Sequence, residues 1–592
     1  MASSALLNRV SPGGLHAACY GLPGAAAAAP WAEAVAPPVA LVPPRDTCMR
    51  TAPPTLPAAQ LSPATAVEDS QVRGRGSTAG AGAPCGLPDS LPAHALPAHS
   101  AQQPPLPLVT LPGRLLVVGF GSIAAGCLPL ILRHVRVERC KVTLLTAPDR
   151  GAEARAAAKQ HGLNVVVCAL TPGNYREVVE PLLWPGDFLL NLSVDVSSCA
   201  LIALCNRRRC LYLDTVVEPW AGAYTDAKLS LESRSNYALR EEALTLKRAF
   251  NQAAGAAPST ALITHGANPG LVSHLVKRAL LDVAKASGVV LPEPTTQQAW
   301  AALACHLGVR CIHVAERDSQ ASGTPKRPGE FVNTWSVDGF IAEGCQPAEL
   351  GWGTHEASLP RDGKTHHTGS GAAIYLTRPG CATRVRSWCP GEGAFHGFLV
   401  THNEAISVAD WLTLREGVGG AVSYRPTVHY AYHPCDAALA SLHELAGKGY
   451  VPQSRKRILD ASEVLSGCDE LGVLLCGMPS PAPHAAYWLG STLSCAAARE
   501  MVPHNSATTL QVTATILGGM VWVVEHPHEG VLEPEEMRDW RRVLDVAEPY
   551  IAPLVGAWSD WTPLQGRTGA AALFPEQLDE LDPWQFSNVR VD

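Results

Sequence analysis

The chain has 592 residues, 47% of them hydrophobic and 17% charged, with a net charge of −7. That length exceeds what one core supports, so two or three folded units are expected. The acidic balance excludes a nucleic-acid surface built on positive charge. The 18 cysteines contain no C-x-x-C pair and read as free thiols of a reducing compartment.

Residues 1–108 are rich in Ala, Pro and Ser and include the run Ala25–Ala29. Such a segment cannot bury enough apolar surface to offset its ordering entropy, and disorder is expected. Its start has one Arg and no acid before Glu33, which suits an organelle transit peptide. A low-complexity tail with no address fits equally, so the cytoplasm, a plastid or a mitochondrion are the locations in play. The run Leu115–Leu132 approaches membrane-span length but holds four Gly or Pro residues, and Leu510–Val524 is too short. No membrane span is read from either.

From Arg114 onward, strands and helices alternate. Strands are predicted at Leu115–Val118, Val142–Leu145, Val165–Val167, Phe188–Leu192, Leu211–Val217 and Ala261–Thr264. Helices are predicted at Ile123–Val135, Glu153–Gln160, Tyr175–Leu183, Ser198–Arg208 and Asn236–Ala254. Six such units argue for an α/β fold, a doubly wound parallel-sheet dinucleotide-binding (Rossmann) domain over 109–268. After the helix opened by Pro269, strands are predicted at Val309–Ala315, Phe331–Phe340, Ala382–Trp388, Phe395–Thr401 and Ser423–His433. These read as an α+β substrate domain over 269–500 with a mainly antiparallel sheet. Residues 501–592 hold the apolar helix Ala507–Glu525, which returns to the first domain in this reading.

The segment Gly119-Phe120-Gly121-Ser122-Ile123-Ala124 follows the first strand and opens the first helix. Gly119 permits the tight turn, Gly121 a close approach of backbone to a pyrophosphate, and Ala124 close helix–strand packing. Ser122 and Ile123 begin the helix whose N-terminus would hold the phosphates. Asp149, late at the end of the second strand, favours NAD, whereas Arg150 beside it could take a 2′-phosphate. An exposed turn pair is the plain alternative.

Ligands of open α/β sheets bind beyond the carboxyl ends of strands, and three of those ends are polar here. They carry Asn191, Ser193 and Asp195; Thr215 and Glu218; and Asn268 before Pro269. Asp195 and Asn268 have a structural alternative as helix N-caps. Glu218, beside Pro219 and Trp220, does not. The substrate domain adds Glu316, Trp335, Glu343 and His402. Glu316 and Glu343 could simply pair with Arg317 or another Arg. Trp335 is either a core Trp with a satisfied N–H or a platform for an ammonium or iminium ion. If Phe331–Phe340 is a strand, Asn333, Trp335 and Val337 share one face. His402 could shuttle a proton near neutral pH or cap a helix. His366 and His367 lack ligand spacing, so no metal is assigned. Acids with a Trp beside a nicotinamide suit an amine cation better than a carboxylate.

These motifs resemble those of bacterial-type homospermidine synthases, within the saccharopine-dehydrogenase-like group. The matching stretches are Gly119–Ile123, NLSVDVSS at 191–198, YLDTVVEPWAGAY at 212–224, SNYALREE at 235–242 and THGANPGLV at 264–272. HVAERDSQ at 313–320, FVNTWSVDGFIAEGCQPAELGWGTHE at 331–356, His396–Ala405, YHPCD at 432–436, VPHNSA at 502–507 and DPWQF at 582–586 extend it. The likeness runs from about 112 to 592 and departs at Ala124, where the group usually has glycine. It implies a redox-neutral transfer: bound NAD oxidises putrescine to an imine, ammonia leaves, a second putrescine forms a Schiff base, and the same NADH reduces it to homospermidine. It also implies that Asn268, Glu316, Trp335, Glu343 and His402 line the site, with Asp195 and Glu218 near the amine. Polyamines are then the partners, and a homodimer is expected. Two other readings stay open. A saccharopine- or carboxyspermidine-type dehydrogenase would show arginines gripping a carboxylate, and a non-catalytic dinucleotide sensor would bind NAD without turning over polyamine.

Overall fold

The computed structural model describes residues 107–591 except 253–256, 418, 460–461 and most of 568–577, together with the short strand His94–Ala95. The expected disordered stretch 1–108 thus lies almost entirely outside the described residues. His94–Ala95 pairs antiparallel with the strand Leu554–Ser559.

Seven strands make the first sheet. Its order is Val531–Leu532, Ala261–Leu262, Leu211–Asp214, Phe188–Asn191, Leu115–Val118, Val142–Thr146 and Asn164–Val167. Every pairing in it is parallel. In chain numbering the first six run 3-2-1-4-5-6, so the order reverses beside Leu115–Val118, and a crevice opens where the two halves diverge. The strands are continuous apolar runs because both faces are covered: Leu115, Leu144 and Phe188 are buried on one side, Leu116, Leu145 and Leu189 on the other. The seventh strand comes from the C-terminal part of the chain.

The rest of the chain is built on a twelve-stranded sheet whose backbone order includes Leu554–Ser559, Ala486–Ser494, Cys468–Cys476, Cys311–Asp318, Thr427–His433, Pro347–Gly351 and Ala373–Pro379. Its pairings are antiparallel except between Cys311–Asp318 and Thr427–His433. The helix Ala507–Glu525 is long and apolar enough to cross a membrane, but it is buried in the protein core. Ser506 caps it and Thr509 closes the capping box.

Two predicted strands come out differently. Ser423–His433 divides into Val422–Tyr424 and Thr427–His433, which lie in separate sheets. The strand expected over Phe331–Phe340 stops at Asn333, and Val337–Cys345 is a helix. Ser336 accepts the Gly339 N–H and caps that helix, a local signal stronger than the alternation around it. Asn333, Trp335 and Val337 therefore do not share a strand face; Trp335 sits in the turn between strand and helix.

Candidate functional site

One cavity of about 620 Å³ opens at the carboxyl ends of the parallel strands and runs to the antiparallel sheet. Gly119, Gly121, Ser122, Ile123, Asp149, Ser193 and Thr215 line its first part; Glu218, Asn268, Glu316, Trp335, Glu343 and His402 line its second. Residues from two domains, up to 283 positions apart, thus face one space.

The glycine loop has the form its spacing requires. Gly119 has φ of +90°, and a Cβ there would lie 2.5 Å from the Leu192 carbonyl oxygen, so only glycine fits. A Cβ on Gly121 would meet nothing within 4 Å, because it would project into the cavity. Gly121 is also the N-cap of Ser122–His134 and brings no capping side chain. A cradle that a side chain would fill, at a helix N-terminus, fits a pyrophosphate. Asp149 and Arg150 stand in a short 3-10 turn at the same wall, where Arg150 lies 3.8 Å from Glu153 and 4.0 Å from Asp149.

Two of the expected residues are placed otherwise. Asn191 is buried behind the wall, where its Oδ1 accepts the Ser193 hydroxyl at 2.6 Å and its amide donates to Tyr212 at 3.1 Å. It holds Ser193 and does not itself line the cavity. Asp195 is exposed in a loop with φ of +62° and reaches the site through its backbone, whose N–H donates to Glu218 at 3.4 Å. Neither Asp195 nor Asn268 is a helix cap. Ser197 caps Ser198–Arg208, and Gly270 precedes Leu271–Ala286.

The second part of the cavity is a set of buried carboxylates with dedicated donors. Glu316 and Arg317 are neighbours on a strand and so point to opposite faces. Arg317 goes to Glu392 at 3.4 Å, while Glu316 Oε2 accepts both the Asn268 amide, at 2.8 Å, and the Tyr430 hydroxyl. Burial raises the Glu316 carboxyl, and these two donors oppose the rise. Burial likewise pushes Glu218 up to about 8. His402 lies between Glu343, at 3.3 Å from Nε2, and Glu404, at 3.1 Å from Nδ1. Burial opposes its charge, but Glu404 and then Glu343 outweigh it, and His402 is pushed up to about 10. Trp335 is half-buried against Phe340 and donates its indole N–H to Tyr432 at 3.1 Å.

Tyr430, Tyr432 and Glu404 were not singled out in the sequence. Tyr430 packs tilted against His402 with centroids 4.2 Å apart, and stacks on Tyr432 at 5.4 Å. Alternation in Thr427–His433 does put both tyrosines on one face, a signal that was available.

Residues 115–257 match the Saccharopine dehydrogenase NADP binding domain family, and residues 266–558 match the Saccharopine dehydrogenase C-terminal domain family. The homospermidine synthase of Blastochloris viridis is 51% identical over 81% of this chain and 97% of its own length. That of Mesorhizobium japonicum is 49% identical over 81% of this chain and 96% of its own. The chain belongs to the homospermidine synthase family. Within that family, the crystal structure of the Legionella pneumophila homospermidine synthase in complex with NAD superimposes with a TM-score of 0.73 at 46% identity, covering 82% of this chain and 98% of that one.

Proposed function

We infer that the cavity carries out an NAD-dependent, redox-neutral transfer of an aminobutyl group from putrescine, or spermidine, to putrescine. The net reaction takes two putrescines to one homospermidine and one ammonia. The observation that carries this reading is the convergence of Glu218, Glu316, Glu343 and Trp335 on the cavity that holds the glycine loop. Carboxylates facing an aromatic ring suit a chain with an ammonium group at each end.

The side chains divide the work by their environments. Glu316, held by Asn268 and Tyr430, anchors one ammonium deep in the cavity. Glu218, pushed up to about 8, exchanges a proton near neutrality and so removes the one that must leave before an amine can be oxidised. His402, cationic at neutral pH, fixes Glu343 and donates a proton to the departing ammonia. Trp335 presents a π face to the iminium charge. Gly119, Gly121, Ser122, Ile123, Ser193, Thr215 and Asp149 would hold the dinucleotide, and Asn191 orients Ser193. NAD, when bound there, would supply the hydride-transfer chemistry.

The basic residues at the wall do not favour a carboxylate substrate. Arg150 is near Asp149 and Glu153, Lys456 pairs with Asp338, and Arg457 pairs with Glu463 and Glu330. The test is to incubate purified protein with putrescine and substoichiometric NAD. Homospermidine and ammonia should form in equal amounts without net NADH. NADH accumulating in step with product, or no polyamine product, overturns the reading. The same reading places the enzyme in the cytoplasm, or in a plastid or mitochondrion if 1–108 is an address, and as a homodimer. Fluorescent fusions with and without 1–108, and light scattering, test these points.

A further inference from the structure

The turn that presents His402 is gripped from behind by one helix of the parallel-sheet half of the molecule. His402 has extended backbone, with φ of −142° and ψ of 145°. The side chains of Thr401 and Asn403 therefore leave on the side opposite to its imidazole. Thr401 donates its hydroxyl to Glu349 Oε2 at 2.7 Å. The same oxygen accepts the Asn236 N–H at 2.7 Å, and Oε1 accepts the Tyr237 N–H at 3.2 Å. Asn236 also donates its side-chain amide to the Thr401 hydroxyl at 3.3 Å. On the other side of His402, the Asn403 amide donates to Glu533 Oε1 at 3.4 Å, and Arg240 holds Glu533 at 2.7 and 2.8 Å. Asn236, Tyr237 and Arg240 all belong to the start of Asn236–Gln252, a helix between two strands of the parallel sheet.

Glu349 does more there than cap a helix. Ser235 already accepts the Ala238 N–H at 3.1 Å, the bond that an N-cap makes. A second, fully buried carboxylate at the same end is costly unless hydrogen bonds replace its water. Glu349 and Thr401 are both fully buried, and three donors converge on that carboxylate. It joins the helix start, whose Asn236 lines the cavity, to the residue next to His402.

We propose that Glu349 is a positioning residue for the reaction: through Thr401 it fixes where the His402 imidazole stands. This deepens the role given above to His402 as proton donor and rests on it. His402 meets Glu343 at 3.3 Å and Glu404 at 3.1 Å. Both contacts are long for hydrogen bonds, so a shift of about 1 Å breaks them. Asn403 keeps its own anchor when Glu349 is altered, so the loss is about tenfold rather than the roughly hundredfold of a full 1 Å displacement.

The test is a double-mutant cycle on the full chain. It is read as homospermidine formation from putrescine at saturating NAD, with a thermal melt and calorimetric NAD binding for each variant. E349Q keeps the shape of the side chain and removes its charge, and T401V deletes only the hydroxyl. Each should lower kcat about tenfold and leave KM for putrescine within about twofold, and T401S should keep the parent rate. H402Q should be slow by itself. E349Q or T401V should cost nothing further in its background, because a group that acts through His402 has nothing left to position. Costs that multiply in the double variants, or T401V with the parent kcat, overturn the positioning role while leaving His402 as the donor. NAD affinity falling in step with the rate also overturns it, since the defect then lies in the cofactor site. H402Q at the parent rate removes the proton donor itself, and the proposal with it. Where E349Q does not fold, T401V and T401S carry the same test.

Discussion

Replacing Trp335 separates chemistry from packing, because the structure gives this side chain both a functional neighbourhood and a modest structural one. Its ring lines the cavity, its edge packs against Phe340 at 5.5 Å, and its N–H reaches Tyr432. In W335A the π face is lost. A desolvated cation–π contact of about 2 kcal/mol corresponds to roughly thirtyfold in kcat. W335F keeps a weaker π face and should stay within about fivefold of the parent enzyme. Stability moves less. The side chain is half-buried, so W335A should cost less than the 3–5 kcal/mol typical of a core Trp, and W335F about 1 kcal/mol for the lost hydrogen bond. The assay is homospermidine formation under saturating NAD, with a thermal melt of each variant. If W335A melts far below the parent yet turns over normally per folded molecule, the ring is a core element and the iminium assignment fails.

Further outcomes follow from the geometry. G121V should lose NAD affinity with an unchanged melt, since a side chain there enters open cavity, whereas G119A should lower the melt because its Cβ meets the Leu192 carbonyl. Calorimetric NAD binding that survives G121V would refute the loop assignment. For Glu218 the folded pKa, about 8, lies above the ordinary 4.5. Its ionisation therefore erodes stability as pH rises through that window, and E218Q should flatten the melt there. In turnover, kcat/KM for putrescine should rise through about pH 8, and E218Q should remove that limb while lowering activity about tenfold or more. A pH profile unaltered by E218Q would exclude this carboxyl as the proton acceptor.

How much was legible follows from which forces are local. The parallel sheet and its glycine turn were readable because a fully covered strand is a short apolar run, and because Gly119 and Gly121 answer to backbone geometry within one βα unit. The helix Val337–Cys345 is masked in the sequence by the alternation of Asn333, Trp335 and Val337, whereas the Ser336 cap decides the backbone. Residue types at strand ends pointed to Glu218, Asn268 and Glu316, each of which could have been a cap or a surface ion pair. Their true partners come from distant segments: Asn268 meets Glu316 across 48 positions, and His402 meets Glu343 across 59. By itself the sequence determined the fold class, the dinucleotide loop and a pool of acidic candidates, all consequences of short-range patterning. Only the tertiary structure decided which carboxylates are buried together, that Asn191 and Asp195 reach the cavity wall through Ser193 and a backbone N–H, and that two tyrosines tie Glu316, His402 and Trp335 into one wall. Burial and hydrogen-bond partnership depend on how the two sheets close on each other, and no local pattern encodes that distance.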